Sequence, residues 1–370
     1  LNLNVPELWI YSNPYSELLY GSITPTMSLP PLTIIFLTIS AHLAKFIGFD
    51  YRSILVIYTL LLIVLIIKIF AKQLKQNKKL IFILFSFPFL FLLDRANLMA
   101  AISGLCLFYL FRNFILNKEL NNYDLLAFLI ACSMRPNYLI FGILFLFKKN
   151  NKLNILEFFK VGISFCISNA LLFFIAPNFL KDYSLDNFIL MVRRYAESSA
   201  KFSPWNSSLY GSLNNLYTSN LDLIRSINSK SIGDLIHRLI FNPNLNNYII
   251  IFYLSILFFS FWKIKKDRIN KISFLIILCS ITALATSPFA DYHLVIFIFL
   301  FLLVYDLDSN FQENSMSLLL ISIVLLPKFH SFSPNIITEL NISNFINSTM
   351  LNLLIIINLL SKNLKTLDTS

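Results

Sequence analysis

The chain has 370 residues, of which 57% are hydrophobic and only 13% charged, and its formal net charge is +11. A soluble domain of this length carries about 25% charged residues. The composition therefore argues against an ordinary soluble globular protein and for an all-α, polytopic helical membrane protein, a single membrane-embedded domain over residues 1–370. The positive charge does not indicate a nucleic-acid partner, because Lys and Arg concentrate in short loops between apolar runs, where the positive-inside bias puts them.

Residues 1–31 hold Trp9, Tyr11, Asn13-Pro14-Tyr15, Tyr20-Gly21, Pro25 and Pro30-Pro31. Aromatic rings and prolines without charge runs suit an external segment at the membrane interface. Leu32–Ile47 is apolar but carries His42 and Lys45. It is re-entrant or interfacial, or it spans with the N-terminal stretch inside. Ile54–Phe70 reads as a clear span. Lys72, Lys75, Lys78 and Lys79 then mark a cytoplasmic loop.

Counting onward gives an alternation. Leu80–Leu93 leads out to Asp94-Arg95-Ala96-Asn97, and Leu98–Phe111 returns to Arg112 and Lys118. Leu125–Met134 leads out to Arg135-Pro136-Asn137, and Tyr138–Phe147 returns to Lys148, Lys149 and Lys152. The last two runs also fit one helix kinked at Pro136. Ile155–Ala176 opens a large external polar loop over residues 177–247. Tyr248–Trp262 returns to the basic cluster Lys263, Lys265, Lys266, Arg268 and Lys271, which falls inside under the same assignment. Ile272–Thr286, Leu294–Val304, Met316–Leu326 and Leu351–Leu360 complete about 10–11 membrane segments, several shorter than the usual ~20 residues.

Cys106, Cys132, Cys166 and Cys279 all lie in apolar runs and form no CxxC pair, so neither a disulfide framework nor a zinc site is indicated. No P-loop, GxGxxG, GxSxG or HExxH pattern occurs, which leaves ATP-driven transport and zinc proteolysis without support. No cofactor and no metal ligand set are expected.

Four polar clusters share the external face in this arrangement. They are Asp94–Asn97, Arg135–Tyr138, the long loop with Arg193-Arg194 and Trp205 to Tyr210, and Ser287–His293. Guanidinium forks pair two phosphate oxygens at once, so Arg95, Arg135, Arg193 and Arg194 are candidates for a lipid phosphate. Asp94 and Asp291 are the candidate catalytic carboxylates, because a carboxylate accepts a proton from a hydroxyl nucleophile. Trp205, Tyr210 and Tyr292 offer faces for a sugar ring, and Asn97, Asn137 and His293 offer polar contacts to substrate. The same residues have plainer uses. Arg135 fits a snorkelling interfacial residue, Arg193-Arg194 a solvated loop face, and His293 an interfacial hydrogen-bonding group.

Asn13-Pro14-Tyr15, then Tyr20-Gly21 and Pro30-Pro31 before an apolar run, resembles the first external loop of glycosyltransferase family 87 of the GT-C superfamily. Asp94-Arg95-Ala96-Asn97 resembles that family's polar-Gly-Asn turn, with Ala96 where glycine is usual. Arg135-Pro136-Asn137-Tyr138 resembles its basic-x-Pro segment, and Ser287-Pro288 followed by Asp291-Tyr292-His293 its Ser-Pro to Tyr-His stretch. Together these cover the chain from about Asn13 to His293.

The resemblance implies an inverting hexosyltransferase of the cell envelope, of mannosyltransferase-like type. It would take a polyprenyl-phosphate sugar as donor and a glycan or glycolipid hydroxyl as acceptor. The protein would be a multi-pass protein of a bacterial inner membrane with its active site outside and membrane lipid around it. The family's catalytic Asp lies near the end of its first helix, upstream of Asn-Pro-Tyr. No Asp precedes Asp50 here, and Glu7 and Glu17 are the only acids in that stretch. The expectation is a further helix upstream of Leu1 that carries the base; the alternatives are that a Glu such as Glu17 substitutes for it, or that the protein is not an active member. Two rivals remain. One is a polysaccharide polymerase or ligase using lipid-pyrophosphate-linked glycans. The other is a membrane transporter, which predicts inverted repeats that the chain does not display.

Overall fold

The computed structural model describes residues 29–48, 51–71, 75, 86, 88–90, 98–116, 118–147, 153–179, 183–197, 207–213, 242, 244–286, 291–307, 311–326 and 343–360. These residues form helices and no β-strand, and their one β contact is the isolated bridge between Phe147 and Leu153. Two compact units emerge, one of Leu1–Ser198 with Ile298–Leu307 and one of Ser199–Phe297 with Asp308–Ser370. Ile155–Asn178, with 24 residues, and Leu245–Lys265, with 21, are long and apolar enough to cross a membrane; the other apolar helices are shorter.

The first unit opens with α1 (Pro31–Ile47) and α2 (Tyr51–Ile69), which meet through Phe36 and Tyr58, rings 5.7 Å apart. Gly48 between them has φ of 77°, a conformation glycine adopts without steric penalty. Next come α3 (Leu98–Ile115) and α4 (Asn122–Met134). Asn121 caps α4. Its Oδ1 accepts from the backbone N–H of Tyr123 (2.8 Å) and of Asp124 (3.2 Å), while Asp124 Oδ2 accepts from the Asn121 N–H at 2.8 Å. This reciprocal arrangement satisfies donors that a helix start otherwise leaves open. The second oxygen of fully buried Asp124 accepts from Asn113 Nδ2 at 2.7 Å, which joins the end of α3 to the start of α4.

After α4 the chain reverses at Arg135-Pro136, where a single kinked helix was the alternative. Pro136–Leu146 is a 3-10 helix of 11 residues. It runs back along α4, with the Phe128 and Phe145 rings 5.5 Å apart. At about 2.0 Å per residue it covers about 22 Å, as far as the thirteen residues of α4 at about 1.5 Å each. This tighter winding explains how so short an apolar run matches its neighbour in length. Gly142 allows the close approach, since a Cβ there would stand 3.2 Å from Phe128 Cζ.

Helix α5 (Ile155–Ile175) begins at Asn154, whose Oδ1 accepts from the Glu157 N–H at 3.4 Å. Lys160 Nζ lies 3.5 Å from Asn122 Oδ1, so α4 and α5 start side by side and run the same way. At the far end of α5, Ala176, Tyr183 and Met191 pack with Ile34 of α1, and Phe173 and Phe188 close around them. Helix α6 (Leu185–Glu197) is amphipathic and starts at Ser184, whose Oγ accepts from the Asn187 N–H at 3.1 Å. Residues 298–307, the larger part of α9 (Val295–Leu307), join this unit through Phe299, whose ring lies 6.3 Å from Phe70 and 6.2 Å from Phe108.

The second unit is built on α7 (Leu245–Lys265), α8 (Lys271–Ala285), α10 (Phe311–Val324) and α11 (Ser343–Leu360). Helix α8 is buried on all sides from Ser273 to Leu284. The α7 terminus closes with the Asp267 N–H on Ile264 O (3.0 Å) and the Arg268 N–H on Lys263 O (2.9 Å), with Asp267 at φ of 52°. Those two bonds satisfy carbonyls that the helix end leaves open. Helix α11 is held by three asparagines. Asn347 Nδ2 donates to Ser207 Oγ at 3.0 Å, Asn352 Oδ1 accepts from Tyr253 OH at 2.8 Å, and Asn358 Nδ2 donates to Ser317 Oγ at 2.9 Å. Side-chain hydrogen bonds of this kind join helices where lipid offers no hydrophobic drive between them.

Candidate functional site

Helix directions decide which predicted residues meet in the first unit. Helix α3 ends where α4 starts, at the Asn113–Asp124 bond. Leu98, at the other end of α3, therefore stands at the end of the unit where α4 finishes in Arg135. Helix α5 runs parallel to α4, so its terminus with Ala176 reaches this end too. It brings the start of α1 and all of α6 with it through the Ile34, Tyr183 and Met191 cluster. Arg135, Asn137 and Arg193 thus share one end of the first unit, and Arg112, Lys118 and Lys160 lie toward the other.

Arg135 is half-buried and sits between two helices. Its N–H donates to Ala131 O at 2.8 Å, and its carbonyl accepts from the Tyr138 N–H at 3.0 Å. With φ of −145° and ψ of 89° the backbone leaves α4 and turns straight into the 3-10 helix that Pro136 opens. Proline suits that first position, because its missing N–H would have no partner there. Asn137 is half-buried beside it, and Tyr138 is fully buried. Arg193 is exposed on α6. Arg194 follows it in the same helix, but its side chain lies outside the described residues.

The base of α6 is rigidly made. The Tyr183 hydroxyl donates to Leu29 O at 2.7 Å, and its ring stacks on Phe173 at 5.8 Å. Burial pushes the Tyr183 phenol well above its ordinary value, so it remains a donor. The basic, partly exposed end of this unit can receive an anion such as a phosphate, with guanidinium as the donor group.

The second unit has its own polarity. Tyr253 of α7 meets Asn352 of α11, and Lys263 Nζ further along α7 donates to Leu359 O further along α11, so these two helices run parallel. Lys263, Lys265 and Arg268 gather at that end, where Arg268 lies 4.8 Å over the Trp262 ring. The opposite end holds Asn347, Ser207 and, at the finish of α8, Thr286. Half-buried Tyr210 belongs to the helical turn over residues 209–213, whose start is capped by Ser208 Oγ accepting from the Gly211 N–H at 3.1 Å. His293 is buried, 5% exposed, in the 3-10 turn Asp291–Leu294. The side chains of Asp291 and Tyr292 in that turn lie outside the described residues, as do Glu17, Asp94, Arg95, Asn97 and Trp205 altogether.

Ser207, Ser208, Ser212, Asn347 and Ser348 are all buried, none more than 3% exposed, and the pairing of Asn347 with Ser207 is absent from the sequence expectations. A signal for it existed. Asn347, Leu351, Leu354 and Asn358 recur at intervals of four, three and four, which is one face of a helix. Asn347 heads an Asn-Ser-Thr triplet, yet it is buried and bonded to Ser207, so the folded chain does not present it as a glycan acceptor. Among the described residues, no three His, Cys, Asp or Glu side chains are grouped to hold a metal ion. No protein-family model, no curated protein and no solved structure matches this chain.

Proposed function

We propose that this protein is a multi-pass membrane glycosyltransferase of GT-C type. It would move a sugar from a polyprenyl-phosphate donor to a hydroxyl acceptor at the external face. The surface of α5 supports the membrane environment. Its 21 residues measure about 32 Å at about 1.5 Å each, close to the ~30 Å of a hydrocarbon core. Leu156 is 82%, Phe159 63% and Phe174 81% exposed, and Ile163, Ile167 and Leu171 are exposed between them. Leaving so many large apolar side chains in water would cost on the order of 10 kcal/mol at about 1.5–3 kcal/mol each.

One observation carries the catalytic reading. Arg135 and Arg193 lie at the same end of the first unit, away from Arg112, Lys118 and Lys160. Taking that other end as cytoplasmic, these arginines lie on the face that the positive-inside bias depletes of basic residues. A bidentate phosphate contact gives a reason for keeping guanidinium there. The anionic leaving group, a polyprenyl phosphate, would be held by them while a carboxylate of the Asp94 stretch took the acceptor proton.

The test uses membrane vesicles and radiolabelled polyprenyl-phosphate sugars. Wild type transfers label to a glycan or glycolipid acceptor. Arg135→Ala abolishes transfer while remaining in the membrane at wild-type level, and Arg135→Lys does not restore it. Full transfer by Arg135→Ala overturns the phosphate assignment. Failure of wild type with every monophosphate donor, alongside activity with a pyrophosphate-linked glycan, replaces this reading with the polymerase or ligase one.

A further inference from the structure

Helix α6 presents an apolar face that the protein only half covers. At about 100° per residue, Phe188 and Met191 lie on one side of the helix, and Leu185, Ile189 and Val192 fall within a neighbouring arc of about 60°. Met191 is 1% exposed, and the Phe188 ring packs on Phe173 at 5.4 Å and on Tyr183 at 6.5 Å. Leu185, Ile189 and Val192, by contrast, are 51%, 41% and 40% exposed. Asp186 and Arg193 occupy the next sector and are exposed too. The apolar arc is therefore wider than its contact with α5 and α1 requires, and Leu190, 39% exposed, stands outside it.

The uncovered half belongs to a helix docked at the end of the apolar surface of α5. That surface runs to Phe174 and Ile175, and the neighbouring Phe173 is the residue on which α6 docks. Tyr183 anchors the α6 base to Leu29 next to Pro30, so the helix leaves the terminus of α5 at a fixed point. We propose that α6 lies in the headgroup and acyl boundary of the bilayer. Leu185, Ile189 and Val192 would enter the acyl region, and Arg193 on the helix flank would stand at headgroup depth, level with the phosphate of a membrane-held donor. This combination of an apolar face and a basic flank is how an interfacial helix binds a lipid surface. The inference rests on the membrane reading above and adds to it a surface helix within the stretch otherwise taken as a polar loop.

Spin labelling in proteoliposomes of phosphatidylethanolamine and phosphatidylglycerol tests it. On a background free of native cysteines, nitroxides are attached singly to Leu185→Cys, Ile189→Cys, Val192→Cys and Asp186→Cys, with Ile163→Cys of α5 as control. Collision rates with oxygen, which concentrates in lipid, and with a nickel chelate, which stays in water, are compared. The expected result is oxygen preference at 163, 185, 189 and 192 and nickel preference at 186. Nickel preference at 189 and 192 with oxygen preference at 163 overturns the α6 assignment and leaves the membrane reading standing. Low access to both reagents at 189 and 192 means that protein covers the face, and also overturns it. Nickel preference at 163 removes the membrane reading and this inference together.

Discussion

The Asn347 side-chain amide donates to the Ser207 hydroxyl across 3.0 Å, with both residues almost wholly buried. This bond fastens the chain just after Trp205 and just before Tyr210 to the last described helix. Asn347→Ala removes this hydrogen bond, at a cost of about 0.5–1.5 kcal/mol. Removing both groups costs less than the sum, because the shared bond is lost only once. Thermal unfolding of Asn347→Ala, Ser207→Ala and the double variant in detergent checks this. In Asn347→Ala, a cysteine placed at Trp205 should also label faster than in the parent.

Asp124 serves two helices at once, capping α4 and receiving Asn113 of α3. Asp124→Ala combines a lost cap, about 0.5–2 kcal/mol, with a stranded buried amide, about 1–3 kcal/mol. A loss of roughly 2–4 kcal/mol is expected, and Asn113→Ala should lose less because the cap survives. Midpoints of thermal aggregation for the two variants give the comparison. Equal losses would mean that the cap contributes nothing.

Tyr183 supplies a pH dependence. Its phenol is raised by burial, so the folded state keeps the proton after the unfolded chain, near the ordinary value of about 10, has lost it. Its contribution is present in full below about pH 10 and is lost as pH rises further. Tyr183→Phe should be less stable at neutral pH by about 1 kcal/mol, the worth of a hydrogen bond. The gap to wild type should shrink above pH 10. A constant gap from pH 7 to pH 11 would contradict the assignment.

Gly142 sets how closely the 3-10 helix approaches α4. A Cβ there meets an edge atom of the Phe128 ring at 3.2 Å, a contact the ring relieves by a small shift. Gly142→Ala should therefore be mild and Gly142→Val severe, with overpacking of about 1–3 kcal/mol. Thermal midpoints of both variants, with Phe128→Leu added to Gly142→Val to make room, test the contact. Recovery in the double variant is the expected outcome.

Three of the predominantly apolar runs marked their helices closely. Leu32–Ile47, Ile155–Ala176 and Ile272–Thr286 match α1, α5 and α8 to within a residue. The expectations fell short where polar residues open a helix. Helix α4 begins three residues before the predicted Leu125, because Asn121 and Asp124 form a cap that apolar runs do not reveal. Helix α11 begins eight residues before Leu351, because its Asn and Ser side chains find buried partners on other elements. Helix α6 falls within the stretch expected to be a polar loop, although Leu185, Phe188, Ile189 and Val192 carry helical spacing.

The sequence by itself determined that the chain is helical and apolar, and where most helices lie, because hydrophobic runs and their flanking charges are local properties. It also marked Arg135-Pro136 as a break or a kink, since proline removes a backbone donor and clashes with the preceding turn. Only the tertiary structure decided that the chain reverses there in 3-10 form, that Asn347 holds Ser207, and that Arg135 and Arg193 share an end of one unit. Those facts depend on partners more than 140 residues away. No local pattern states which buried amide meets which hydroxyl, because hydrogen-bond pairing follows from how helices pack.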